Sequence, residues 1–172
     1  MWRDYYEKRH VALFGHLYLM SRTQFGFAPL DSFRIALAAA QAARAFQPTR
    51  SREAANATLP PLEAYYGLLA PAVPGGFDAA EAARFELDWW QARREAVGPE
   101  QYGVTVARVS AIVYGKRVDD PSLLTSGIGR AEAMAYRDEI GEAMTDSDWS
   151  EVECRLRRAY WSLKAAVAGG DS

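Results

Sequence analysis

Apolar residues recur at three- and four-residue spacing in successive stretches of the chain, the period of helices packed on one face. Trp2, Tyr6, Leu13, Phe14, Leu17 and Met20 predict a first helix from about Arg3 to Met20, with His10 inside its stripe. Gly26 to Pro29 breaks that pattern. Asp31 then stands as an N-cap for a helix through Phe46, which Pro48 ends. Residues 47–58 are polar and read as an exposed loop. Proline suits the first helical position, so Pro61 predicts a short helix from Leu62 to about Ala70 that buries Leu62, Tyr65, Tyr66 and Leu69. Pro71, Pro74 and Gly75-Gly76 enforce the next break.

Asp78 followed by Glu81 has the form of a capping box, which places the central helix from Ala79 to about Val97. At 100° per residue, Ala82, Phe85, Trp89, Trp90, Ala92, Ala96 and Val97 form one broad apolar arc, with Glu86 and Arg93 in its middle. Pro99 and Glu100 open another helix with the seam Tyr102, Val106, Val109 and Val113, and Gly115 is its stop. The β-branched run from Val104 invites a strand, but its spacing is helical. Residues 116–127 read as an irregular connection, because Asp119-Asp120-Pro121 makes a turn and Gly127 and Gly129 weaken helix. Helix resumes near Ile128 and continues to about Glu142. Thr145 and Asp148 form a second capping-box pattern ahead of the stripe Trp149, Val152, Leu156, Ala159, Tyr160, Leu163 and Val167, ended by Gly169. The whole pattern predicts an all-α, single-domain bundle of about seven helices, five of them long, packed largely antiparallel around the central helix.

Composition fits that picture. A chain of 172 residues suits one domain, and 49% hydrophobic content excludes wholesale disorder. Aromatic residues make up 12%, so large side chains supply much of the burial. The net charge is -2 and the basic residues form no single tract, which argues against nucleic-acid binding. The apolar run Val11 to Met20 is too short to span a membrane and carries His16. Cys154 is the only cysteine, so neither an intramolecular disulfide nor a Cys-based zinc site forms within the chain. A cytoplasmic location is expected, and the wealth of arginine and alanine suggests a bacterial source.

Two ionisable groups at the centre of an apolar face need partners, since an unpaired buried charge costs several kcal/mol. The helix near Ile128 offers Arg130 and Arg137 to Glu86, and Asp138 to Arg93. The plainer reading is an interhelical ion-pair network that fixes helix register. The sharper one is a ligand site made of Glu86, Trp89, Trp90, Arg93, Tyr102, Arg130, Arg137, Asp138 and His10, with arginine as bidentate donor and tryptophan as wall. Glu7 and His10 have the E-x-x-H spacing of di-iron bundles, but such a site needs a second pair, so neither metal nor cofactor is expected. Cys154 has arginine neighbours but no histidine placed to activate it.

The function expected is therefore that of a helical binding or accessory protein, homodimeric, whose polar cluster takes a small anionic or aromatic ligand. Trp161 falls outside the core stripe of the last helix, and its face is expected to contribute to the dimer. The alternative is a metal-independent enzyme using Glu86 or His10 as general base, with Tyr102 or an arginine as stabiliser.

Overall fold

A computed structural model of the chain describes residues 2–7 and 9–169, apart from the side chains of Trp2, Tyr5, His10 and Gln24. Every regular element among the described residues is helical, as expected. They are α1 (Trp2–Tyr6), α2 (His10–Gln24), α3 (Pro29–Phe46), α4 (Arg52–Ala55), α5 (Leu59–Leu69), α6 (Ala79–Arg94), α7 (Pro99–Tyr114), α8 (Pro121–Ile140) and α9 (Asp146–Ala168). Seven of these have eleven residues or more. None of the described helices is long and apolar enough to cross a membrane. The chain divides into two compact units, Met1–Leu87 and Asp88–Ser172, with the boundary inside α6.

In the first unit, the helix expected over residues 3–20 is two helices. The Arg9 guanidinium turns back to Asp4 at 2.8 Å and Glu7 at 3.2 Å, and Asp4 also holds His16 Nδ1 at 2.8 Å. The histidine that meets a carboxylate is thus His16; the side chain of His10 lies outside the described residues. Helix α3 starts at Pro29 rather than behind an Asp31 cap. Its N-cap is Ala28, held extended as residues before proline are, and Asp31 sits in the first turn. The core of this unit joins Ile35, Ala36, Ala38 and Ala42 of α3 to Leu62, Tyr66 and Leu69 of α5.

Residues 47–58 are more ordered than a loop. Ser51 caps α4, accepting from the Ala54 N–H at 3.0 Å, and a 3-10 turn from Asn56 to Thr58 leads into α5. Ala55 and Thr58 are fully buried. Short apolar and small residues inside a polar run leave no periodic signal, which is why composition alone reads as loop.

Helix α6 begins as expected. One Asp78 carboxylate oxygen accepts from the N–H groups of Ala80 and Glu81 at 2.8 and 3.0 Å. It stops at Arg94, and Ala96 takes a positive φ of 51°, so Ala96 and Val97 are outside the helix. Its buried positions are Ala82, Ala83, Leu87, Gln91 and Ala92, whereas Phe85, Glu86, Trp89, Trp90 and Arg93 are half-buried. Small residues, Leu87 and Gln91 take the interior, and the larger residues are half-buried beside them, Glu86 and Trp89 with their polar ends bonded to tyrosine hydroxyls.

The second unit is built on α7, α8 and α9, with α8 packed against both of the others. Helix α8 begins at Pro121, not near Ile128. Asp120 caps it, accepting from Ser122 and Leu123 N–H groups at 2.8 and 3.0 Å. Gly127 and Gly129 therefore lie inside a helix, and the reason is packing. A methyl group on Gly127 would stand 2.1 Å from the Gly103 carbonyl oxygen, and one on Gly103 would stand 2.6 Å from the Ile128 backbone. One on Gly129 would meet the Ala159 Cβ at 3.2 Å. Small residues at these crossings let the backbones of α7, α8 and α9 approach closely. Ala107, Ala111, Leu123 and Ala166 fill the layer beside them.

Candidate functional site

The close crossings fix what stands next to them. Tyr102 precedes Gly103, Arg130 follows Gly129, and Tyr160 follows Ala159, so the backbone contacts of the second unit carry these three side chains into one neighbourhood. The C-terminal part of α6 adds Trp89. Its indole Nε1 donates to the Tyr102 hydroxyl at 2.5 Å, and Tyr102 is 5% exposed.

The Arg130 guanidinium carbon lies 4.9 Å from the centroid of the Trp89 ring and 5.5 Å from that of Tyr160. Both distances are within the range of cation–π attraction, strongest over tryptophan. Arg130 is half-buried, its Nε is buried without a hydrogen-bond partner, and it makes no ion pair among the described residues. An arginine in this state is unusual. Burial penalises its charge, the ring faces repay part of that penalty, and the in-plane N–H groups still lack an anionic acceptor.

The neighbouring arginines have a carboxylate partner. Arg93 pairs with Asp138, as expected from the sequence, and Arg137 approaches the other Asp138 oxygen at 3.5 Å. This ion pair is not deeply buried, with side-chain exposures of 33% for Arg93 and 36% for Asp138. Glu86 belongs to the first unit, where it accepts from the Tyr66 hydroxyl at 2.8 Å, and Tyr66 is itself packed edge-on to Phe77. Within the second unit, then, direct contacts join Trp89 to Tyr102 and Arg130, and ion pairs join Asp138 to Arg93 and Arg137.

Two residues were not selected from the sequence. Tyr160 reads there as part of a core stripe, but it is 39% exposed and lies against Arg130. Its place at the edge of the stripe, beside Trp161, is the only sequence signal of that role. Gln91 is 3% exposed with its Nε2 unpartnered, at a helical position among tryptophans and arginines that looks solvent-facing by composition.

A separate open cleft of about 430 Å³ lies at the α7–α8 connection and the end of α9, lined by Lys116, Arg117, Asp119 and Asp120 among others. Arg117 is already held there by Asp119 at 2.7 and 2.9 Å, and the cleft contains none of the residues singled out above. Enclosed chemistry is absent from it, so size alone does not make it the better candidate.

No protein-family model, no curated protein and no solved structure matches this chain.

Proposed function

We propose that this protein is a helical binding module whose second unit takes a small organic anion, with Arg130 as the recognising cation. The observation that carries the reading is the state of Arg130: flanked by the Trp89 and Tyr160 rings, half-buried, and without an ion pair among the described residues. Stacking restricts the guanidinium plane, which leaves its N–H edge oriented for a carboxylate or phosphate at little further entropic cost. Trp89, held by Tyr102, and the partly exposed Tyr160 supply apolar walls. The ligand class is thus an anion joined to a flat or apolar body.

Titration with benzoate and with inorganic phosphate, followed by NMR on the Arg130 Nε–H and the Trp89 indole N–H, tests this. Benzoate is expected to shift both resonances saturably and phosphate to act more weakly, lacking an apolar body. Arg130→Gln abolishes the response, and Arg130→Lys weakens it because a lysine offers no bidentate fork. Equal responses in wild type and Arg130→Gln would discard the reading.

A further inference from the structure

Helix α9 shows a second organised surface, made of different residues. Asp146, Ser150, Glu153, Arg157, Trp161 and Lys164 follow one another at three- and four-residue steps and fall within an arc of about 80°. All six are exposed, and Trp161, at 63%, is the most exposed of the described aromatic side chains. The charge along this stripe is ordered: acidic at Asp146 and Glu153, basic at Arg157 and Lys164. Glu153 and Arg157 are one helical turn apart, a spacing suited to an intrahelical pair, yet they form no ion pair with each other or with another described residue. The next turn-spaced pair, Glu151 and Arg155, does close, at 2.7 Å.

We infer that this stripe is the contact surface for a second copy of the chain, with the two α9 helices antiparallel about a two-fold axis near Arg155. A stripe that is acidic in its first half and basic in its second is complementary to itself when reversed, and a two-fold contact uses the same patch on both copies. Centring the axis at residue 155 places Glu153 of one copy opposite Arg157 of the other, and Asp146 opposite Lys164. Trp161 then falls level with position 149 of the other copy, beside the exposed Ser150, a small residue that leaves room for an indole. Each relation occurs twice. The exposed tryptophan supplies the apolar anchor that such contacts use, and the charges fix direction and register. A single helix pair is a small interface, so association belongs in the micromolar range, about the weaker end of specific contacts. An acidic partner protein would be served by the basic half alone and would leave Asp146 and Glu153 facing like charge.

Sedimentation velocity across micromolar concentrations, with circular dichroism to verify folding, tests the inference. The wild type is expected to show a monomer–dimer equilibrium that weakens in high salt. Glu153→Arg and Arg157→Glu should each weaken association at least about tenfold, by turning two attractions into repulsions. The double variant Glu153→Arg/Arg157→Glu should recover it, because the exchanged charges meet across the axis. Trp161→Ala should give monomer. Cys154 lies one residue from the axis, an axial separation of roughly 3 Å between the two thiols, so a short bis-maleimide should join the copies through it in wild type and fail with Arg157→Glu. A wild type that stays monomeric throughout, or a folded double variant no better associated than the singles, would overturn the inference. The Arg130 site is untouched by these variants, so its titration stands or falls by itself.

Discussion

A methyl group added to Gly127 would lie 2.1 Å from the carbonyl oxygen of Gly103, a closer approach than at any other described glycine of the second unit. No real Cβ tolerates that distance to a backbone atom, so α7 and α8 would have to separate. Gly127→Ala gains about 1 kcal/mol of helix propensity but loses more through displacement of the packed helices, for a net cost of about 2–4 kcal/mol. Gly67 is the control: it is helical and exposed, and a methyl there meets nothing. Gly67→Ala should raise the melting temperature slightly while Gly127→Ala lowers it by many degrees, and similar changes in the two would refute the packing role.

The bond from Trp89 Nε1 to the Tyr102 hydroxyl joins α6 to a buried tyrosine. Tyr102→Phe removes the acceptor and keeps the ring, leaving the indole N–H without this partner. The expected cost is about 1 kcal/mol, read by chemical denaturation. The indole N–H resonance of Trp89 should move in the same variant. If it does not, the bond is absent in solution.

Asp138 bonds Arg93, with both side chains about one-third exposed. Solvent screens a pair of this kind, so Asp138→Asn should cost only about 0.5–1 kcal/mol at low salt. The difference from wild type should shrink in 1 M salt, where the screening length falls to about 3 Å. A loss that persists undiminished would instead mark the carboxylate as a packing element.

The carboxyl of Asp148 is held below its ordinary value of 3.8 by the Thr145 hydroxyl, then by the Thr145 backbone N–H and by the Tyr136 hydroxyl. Its native value lies under its unfolded one, so the unfolded chain takes up the proton first as pH falls. The stabilisation is therefore complete above about pH 4 and is lost as pH drops through the native value. Tyr136 is shifted upward from 10.0 by the same bond, so its contribution is complete below pH 10 and fades as alkaline pH passes through its native value. The melting temperature of Asp148→Asn should run parallel to wild type near neutrality and converge with it in acid. Curves that stay parallel into strong acid would refute the linkage.

The sequence by itself determined the class of fold and many helix ends, because those depend on neighbours in the chain. The Thr145–Asp148 capping box forms in both directions, Asp78 caps α6, and Gly115 closes α7 with a positive φ of 61°. Three- and four-residue periodicity identified the long helices for the same local reason. Tertiary structure decided what the glycines mean. Gly127 and Gly129 look like helix breakers to a rule of intrinsic propensity, but α8 runs through them because α7 and α9 need that space. It also decided which face of α6 is interior: Leu87 and Gln91 are buried and the tryptophans are half-buried, which the composition of the arc does not show. The candidate site divides in the same way. The Arg93–Asp138 pair could be chosen from charge and spacing, while the Trp89–Arg130–Tyr160 stack depends on three helices meeting, and no spacing within one helix encodes that.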